Sequence, residues 1–110
     1  MTLPAAILAL CLPLCALAEQ GLASWYGDDH RGRLMANGRP FDPDKLTAAS
    51  WHYPLGTRVT VRAGGRAVRV TITDRGPNHR LRGRVIDLSA AAFSRLAPLR
   101  KGLVPVDVTR

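Results

Sequence analysis

The residue with the clearest potential for chemistry in this sequence is Asp74. Apolar and polar residues alternate through residues 68–73, which is the period of a half-buried strand. If the alternation continues, Asp74 points to the apolar side, where Gly76 and Pro77 end the strand. A carboxylate in that position is costly to ionise unless other groups hold it. Two interpretations stay open: Asp74 is a functional acid, or it only caps the turn by accepting hydrogen bonds from the backbone of Arg75 and Gly76.

The sequence contains no recognisable metal site. His30 and His79 are isolated from each other, and neither is close to a cysteine. The only cysteines, Cys11 and Cys15, lie in an apolar N-terminal segment. We therefore predict neither a metal nor any other cofactor.

Residues 1–18 have the features of a signal peptide. An uncharged apolar run, residues 3–17, ends in Ala16-Leu17-Ala18, which is a small-x-small cleavage site. The run is short and broken by prolines, so it is a poor membrane span; an amphiphilic anchor that stays uncleaved is the alternative. Leucine rather than a small residue precedes each cysteine, which argues against lipidation. We predict a protein of the periplasm or cell envelope, or a secreted one, that is cleaved after Ala18 and then has no stable membrane span.

Residues 19–110 form a single predicted domain, which keeps the whole formal net charge of +8. Without cysteine, this domain must be held together by its apolar core alone. Its excess of basic residues indicates an anionic partner. In the cytoplasm such a partner is typically nucleic acid, whereas outside it is a cell-wall polymer, an anionic polysaccharide or a lipid surface. The export signal therefore argues against nucleic acid.

Six short strands and one helix are predicted in this domain. The helix, residues 90–97, has Ser89 as its N-cap and ends before Pro98. Gly64 and Gly65 join two of the strands in a tight hairpin. The predicted strands are residues 22–26, 46–49, 57–62, 67–74, 85–88 and 103–108. This pattern, with no repeat and no linker, predicts a small all-β barrel.

Six motifs, in this order and spacing, resemble the rare lipoprotein A family. They are Ala23-Ser24-Trp25-Tyr26-Gly27, Ala36-Asn37-Gly38, Thr47-Ala48-Ala49, Leu55-Gly56-Thr57-Arg58-Val59, Asp74-Arg75-Gly76-Pro77 and Ile86-Asp87-Leu88-Ser89. The resemblance implies a six-stranded double-psi β-barrel, to which the pattern above adds one short helix, in a bacterial cell-envelope protein. It also implies a lytic transglycosylase that cuts peptidoglycan glycan strands lacking stem peptides and leaves a 1,6-anhydro end. Some members of the family act at the division septum, so septal proteins are candidate partners.

The chain departs from this family pattern at two positions. Active members carry a catalytic Glu directly after Ala-Asn-Gly, where this chain has Arg39, and often a His after Thr-Ala-Ala, where it has Ser50. His52 follows two residues later, and the only glutamate in the chain is Glu19. A guanidinium cannot donate a proton near neutral pH. Arg39 is also a candidate ion-pair partner of Asp74, and such a pair would weaken Asp74 as an acid.

The resemblance implies one catalytic residue, Asp74, and a set of residues that bind substrate. The expected substrate-binding residues are Tyr26, Asn37, Arg39, Ser50, His52 and Arg75. Asp87 is predicted to be structural, bonding backbone amides near the start of the helix. Alternatives stay open for some of these: Asn37 serves a turn, and His52 is an exposed loop residue. Of Trp25 and Tyr26, which face opposite ways on one strand, one is a core residue and the other is available to stack on a sugar.

Three functions are compatible with these features. The first is a secreted, monomeric lytic transglycosylase acting on peptidoglycan glycan strands, with Asp74 as its central residue. The second is a non-catalytic glycan-binding barrel, which the replacement of Glu by Arg39 favours. The third, a nucleic-acid-binding barrel, conflicts with the signal peptide. A direct ion pair between Arg39 and Asp74 would favour binding, whereas an Asp74 that lines an open groove without it would favour catalysis.

Overall fold

Six β-strands close into a barrel. A computed structural model describes residues 18–77 and 83–110 of the protein. The strands are β1 (Glu19–Tyr26), β2 (Thr47–Ala49), β3 (Arg58–Ala63), β4 (Arg66–Asp74), β5 (Arg84–Ser89) and β6 (Val104–Thr109). Around the barrel they follow the order β1-β5-β2-β4-β3-β6, with β1–β5 and β2–β4 parallel and the other neighbours antiparallel. The predicted six-stranded double-psi barrel is thereby confirmed.

One α-helix, α1 (Ala90–Ser94), follows β5, and single 3₁₀ turns span Asp28–His30 and Leu99–Lys101. The predicted N-cap, Ser89, is confirmed, because its hydroxyl accepts a hydrogen bond from a helix amide. The predicted helix over residues 90–97 is too long. After Ser94 the next two amides bond carbonyls three residues back, so the helix tightens into a final turn before the proline.

The barrel core is built from the inward-facing half of the alternating strand residues. The apolar strand residues of this core are Ala23, Ala48, Val59, Val61, Val68, Val70, Ile72, Ile86, Leu88, Val106 and Val108. Phe93 of α1 packs against them and is fully buried, which stabilises the fold by roughly 1.5–3 kcal/mol. Because the sheet is closed, each strand is hydrogen-bonded to a neighbouring strand on both sides. A small apolar core without disulfides is then enough to hold the domain together.

A register shift near the end of β4 changes which way Asp74 points. Ala48 pairs with Ile72, but Ala49 pairs with Asp74, so Thr73 is an extra residue in the β4 strand. Paired residues share a face of the sheet. Ala48 and Ile72 belong to the core, and Asp74 therefore lies with Ala49 on the outer face. The prediction that Asp74 shares the side of the apolar residues is wrong, because the bulge breaks the alternation.

Two of the predictions fall on residues outside the described ranges. These are residues 1–17 of the predicted signal peptide, which include Cys11 and Cys15, and His79. Signal cleavage therefore stays a prediction. Within residues 18–77 and 83–110, no helix combines the length and the apolar character that crossing a bilayer requires.

The cap of α1 provides a test of how the helix is fixed to the barrel. The buried Ser89 hydroxyl accepts from the amide of Ala92 (3.2 Å) and donates to the carbonyl of Lys45 (2.5 Å). Ser89→Ala leaves both groups without this partner, and we expect the free energy of unfolding in urea to fall by about 1–3 kcal/mol. Ser94→Ala, at the exposed end of the same helix, is the matched control and should change it by less than about 0.5 kcal/mol. Equal losses in the two variants would contradict this role of Ser89.

Candidate functional site

Two aspartates lie in one row on the outer face of the barrel. Ala49 of β2 pairs with Asp74 of β4 on one side and with Asp87 of β5 on the other, and Asp87 pairs with Ser24 of β1. Neighbouring strands are about 4.8 Å apart, so the Cα atoms of the two aspartates are separated by on the order of 10 Å. Only the small side chain of Ala49 stands between them. The fold thus brings together two carboxylates that are far apart in the sequence.

Asp87 occupies a confined position in this row. Its side chain is 20% exposed, its Oδ1 accepts a hydrogen bond from the Ser24 hydroxyl (3.0 Å), and its Oδ2 is 3.8 Å from the Arg84 guanidinium. Burial raises the pKa of Asp87 above its ordinary value, and the negative charge of Asp74 adds to this shift. The Ser24 hydrogen bond and the charges of Arg84 and His30 oppose the rise in pKa without cancelling it. Asp87 therefore retains its proton to a higher pH than an ordinary aspartate.

The hydrogen-bond partners predicted for Asp87 need correction. It was expected to bond backbone amides near the start of the helix, but Ser89 caps that helix, and the partners found for Asp87 are the Ser24 hydroxyl and the Arg84 guanidinium. The sequence does contain a signal for this arrangement. Ile86 and Leu88 on either side are fully buried, so the alternation places Asp87 on the outer face.

Asp74 is held by the backbone of two segments. Its Oδ1 accepts hydrogen bonds from the amide of Arg75 (2.8 Å) and from the amide of Ala36 (2.9 Å). The turn-capping interpretation is therefore confirmed for Arg75, and the bond to Ala36 also ties a long loop to the end of β4. Asp74 remains half-buried beside this loop. These bonds fix the position of the carboxylate on the same face as Asp87.

The predicted ion pair between Arg39 and Asp74 is not formed among the described residues. Arg39 is exposed, and its amide donates a hydrogen bond to Oδ1 of Asn37 (2.9 Å). The amide of Asn37 in turn donates to the carbonyl of Thr73 (3.2 Å). The turn role that was open for Asn37 is thereby confirmed, and the turn presents Arg39 at the edge of the site.

Tyr26 adds a buried hydroxyl to the two carboxylates. Its ring stacks on Phe41 with ring centroids 4.2 Å apart, and its hydroxyl is shielded from solvent and has no hydrogen-bond partner within residues 18–77 and 83–110. Burial, followed by the charges of Asp74 and Asp87, raises the pKa of Tyr26, so the hydroxyl keeps its proton. Trp25, on the opposite face, packs against Phe93 and belongs to the edge of the core. Of this pair, Trp25 is therefore the residue that packs on the core, and Tyr26 lies on the outer face, where a residue that contacts a sugar was expected.

The loop after β2 contains two of the predicted substrate-binding residues, Ser50 and His52, and a third, Arg75, contacts this loop from the end of β4. Ser50 is fully buried, and its hydroxyl accepts a hydrogen bond from the amide of His52 (3.0 Å). The Arg75 guanidinium donates to the carbonyls of Ser50 (2.8 Å) and Tyr53 (2.5 Å). Ser50 and Arg75 therefore hold the loop, and the burial of Ser50 argues against direct contact with a ligand. His52 is exposed, as in the alternative left open for it.

Metal ligands are not gathered in the part of the chain that the structure describes. No group of three or more His, Cys, Asp or Glu side chains there has a geometry that could hold a metal ion. What the described residues do bring together is two carboxyl groups in different environments, with a protonated tyrosine beside them.

Comparison with known sequences identifies relatives of this barrel. A family model described as "Lytic transglycolase" matches residues 18–108. A probable endolytic peptidoglycan transglycosylase RlpA of Nostoc is 47% identical over 96 residues, which cover 84% of this chain and 25% of that protein. The endolytic peptidoglycan transglycosylase RlpA of Yersinia pestis is 46% identical over 92 residues, covering 82% and 25%. The chain spans about a quarter of the length of these two relatives.

Two other similarities extend over nearly the whole of the matched protein, and a third extends over half of it. An uncharacterized protein of Synechocystis is 44% identical over 90 residues, which cover 80% of this chain and 93% of that protein. The solved structure of a Streptomyces papain inhibitor superposes with a TM-score of 0.69 at 31% identity, over 86% of this chain and 94% of that chain. The apo structure of a Clavibacter michiganensis expansin superposes with a TM-score of 0.66 at 25% identity, over 84% and 50%.

The raised pKa of Asp87 predicts how the free energy of unfolding depends on pH. Well below about pH 3.9, the ordinary pKa of an aspartate in the unfolded state, Asp87 is protonated in both the folded and the unfolded state. Its ionisation then does not change the free energy of unfolding. As the pH rises, the unfolded state loses its proton first, so Asp87 increasingly destabilises the fold until the pH exceeds the raised folded pKa. Asp87→Asn should therefore gain stability relative to the wild type between pH 3 and pH 7, measured by urea unfolding across that range.

The control for this measurement is Asp107→Asn, which removes the same charge from an exposed position on β6. A difference between wild type and Asp87→Asn that stays constant with pH, or that shrinks as the pH rises, would contradict the raised pKa of Asp87.

Proposed function

Because the chain belongs to the lytic transglycolase family, we propose that it cleaves the glycan strands of peptidoglycan in the cell envelope as an endolytic lytic transglycosylase. The relatives named as peptidoglycan transglycosylases match it through the barrel, at 47% and 46% identity. The barrel is also the part that contains both aspartates. We propose strands without stem peptides as its substrate, septal proteins as partners and a monomer as the active form.

The reaction sets clear requirements for the protein. The bond between the anomeric carbon of N-acetylmuramic acid and the oxygen of N-acetylglucosamine breaks, and the leaving oxygen takes a proton. The C6 hydroxyl of the muramoyl sugar then attacks that carbon and gives up its own proton, which closes the 1,6-anhydro ring without water. A single carboxyl group that starts protonated can perform both transfers in turn.

The confined environment of Asp87 is the observation that supports this proposal most directly. Its raised pKa favours the protonated form that the first transfer needs, and its remaining exposure leaves it accessible to a substrate. We therefore assign to Asp87 the role of acid and then base. The Ser24 hydroxyl and the Arg84 guanidinium would stabilise the carboxylate after the first transfer and so moderate its basicity.

Asp74 is assigned a different role on the same outer face of the barrel. Two backbone amides fix its carboxylate, so its negative charge can face the positive charge that develops on the sugar ring as the glycosidic bond breaks. The hydroxyl of Tyr26 is shielded from solvent, so Tyr26 would contact a substrate through the accessible part of its ring rather than through this hydroxyl. Arg39 and Asn37, on the turn beside Asp74, would contact the strand at the rim.

The second candidate function is a glycan-binding barrel without catalysis. The observation that favours it is Arg39, which stands exposed where active members carry a glutamate and which cannot act as an acid. The absence of an Arg39–Asp74 ion pair among the described residues removes one argument for this function. Catalysis is therefore the proposal, with the two aspartates as its acidic groups.

The proposal is tested by incubating the purified protein with glycan strands stripped of stem peptides and searching the products for 1,6-anhydro ends by mass spectrometry. We expect anhydro products from the wild type. Asp74→Asn and Asp87→Asn should each lower the rate by at least about 100-fold, since each removes a charge or proton that the reaction uses. Asp107→Asn, on the exposed face of β6, should leave the rate unchanged.

Binding of the stripped strands is measured in parallel with cleavage. Retained binding without anhydro products would contradict the enzyme and support the glycan-binding barrel. Loss of activity in Asp74→Asn alone would contradict the role assigned to Asp87.

Arg39→Glu tests the departure from the family pattern. The substitution places a carboxyl group on the turn beside Asp74, and we expect the rate of anhydro-product formation to rise, on the order of tenfold or more. Arg33→Glu makes the same charge change at another exposed position of the loop and is the control. An unchanged rate in Arg39→Glu would show that Arg39 does not limit catalysis.

A further inference from the structure

A pocket next to the two aspartates is not used by the proposed chemistry. Arg84, which contacts Ser24 and Asp87, also forms part of the wall of a cavity of about 250 Å³, here called the Trp51 pocket. Its described lining residues are Glu19, Trp51, His52, Pro77, Arg84 and Val85. Because Arg84 belongs to both places, the pocket adjoins the row of outer-face residues that contains Asp87.

Trp51 gives this pocket a fixed apolar surface. Its side chain is 57% exposed, and its indole Nε1 donates a hydrogen bond to the carbonyl of Pro77 (2.9 Å). This bond holds the plane of the ring at the pocket while much of its surface faces solvent. A rigid exposed indole offers a large contact area to a ligand at a small cost in conformational entropy.

Polar groups lie around this indole. Oε1 of Glu19 is shielded from solvent without a hydrogen-bond partner in the described ranges, and burial raises the pKa of Glu19 while the nearby His52 opposes that shift. Glu19 and His52 also line an adjoining cavity of about 470 Å³, together with Tyr53 and Arg110. The pocket therefore combines a flat apolar surface with a carboxyl group, an imidazole and a guanidinium.

We propose that the Trp51 pocket is a saccharide-binding subsite, in which a sugar ring stacks on Trp51 and its polar substituents meet Glu19 and Arg84. A pyranose ring has one largely apolar face and a rim of hydroxyl and amide groups, which matches this arrangement. The carboxyl group of Glu19 disfavours a phosphate or sulfate, because a dense anion would be placed against it. The assignment of the ligand as the peptidoglycan strand rests on the proposed function.

The pocket would hold a part of the strand beyond the bond that is cut. Arg84 contacts Asp87 and also lines the pocket, so a strand bound at the two aspartates would extend past this residue to Trp51. Binding energy gained there would hold the strand in register at the two aspartates. His52, on the same loop, is then a contact for this subsite rather than a catalytic group.

The experiment uses the tetramer of β-1,4-linked N-acetylglucosamine, which contains no muramoyl sugar and so is not a substrate for the proposed cleavage. Binding to the purified protein is measured by calorimetry and by NMR of the two indole N–H groups in the chain. We expect the tetramer to shift the indole signal of Trp51 and not that of Trp25. Trp51→Ala should weaken binding by about tenfold, and Leu103→Ala, another exposed apolar residue, should not.

The outcomes test the proposed subsite independently of the proposed cleavage activity. Tetramer binding that moves the Trp51 signal supports the subsite whether or not stripped strands are cleaved, and retained binding in Asp87→Asn confirms that it does not depend on the chemistry. No tetramer binding, or equal binding by the wild type and Trp51→Ala, overturns the subsite even if cleavage is observed. The wild-type indole shifts decide the matter if Trp51→Ala fails to fold.

Discussion

The extra residue in β4 is the constraint on which the rest of the site depends. With unbroken alternation Asp74 would follow Ile72 into the core, where its charge would be costly. The bulge at Thr73 instead places Asp74 on the outer face, in register with Ala49 and Asp87. Gly76 lies beside this row, since a Cβ added to it would be in ordinary van der Waals contact with the Cβ of Ala49 (3.8 Å). Within the row, the small side chain of Ala49 lies between the two aspartates.

The two carboxylates differ in what surrounds them, although they share one face. Asp74 accepts hydrogen bonds from two backbone amides, which fix the position of its carboxyl group. Asp87 is mainly affected by burial, which favours its neutral form, and Ser24 and Arg84 compensate only in part. One group is thus held in place by the backbone, and the other is suited to give and take a proton. Unequal environments of this kind distinguish acid from base in sites that contain two carboxyl groups.

Most of the wall of the barrel could be predicted from the sequence, because local alternation determines which residues face the core. Residues 57–62 and 67–74 were predicted to be strands on that basis, and the structure has β3 and β4 there. The bulge could not be predicted, since it depends on the pairing of β4 with the distant strand β2. The confinement of Asp87 could not be predicted either. The pairing of β1 with β5 brings Ser24 to it, and Arg84 reaches it through its long side chain.

The sequence motifs also do not reveal which residues can act together. Glu19 begins β1 and His52 lies in the loop after β2, yet the two share the walls of two cavities. Arg84 extends this connection, because its Nε donates to the Ser24 hydroxyl and the residue also lines the Trp51 pocket. Arg84 is therefore shared by the surroundings of Asp87 and by the pocket. In the proposed function, this residue would link the saccharide subsite to the carboxyl group that transfers the proton.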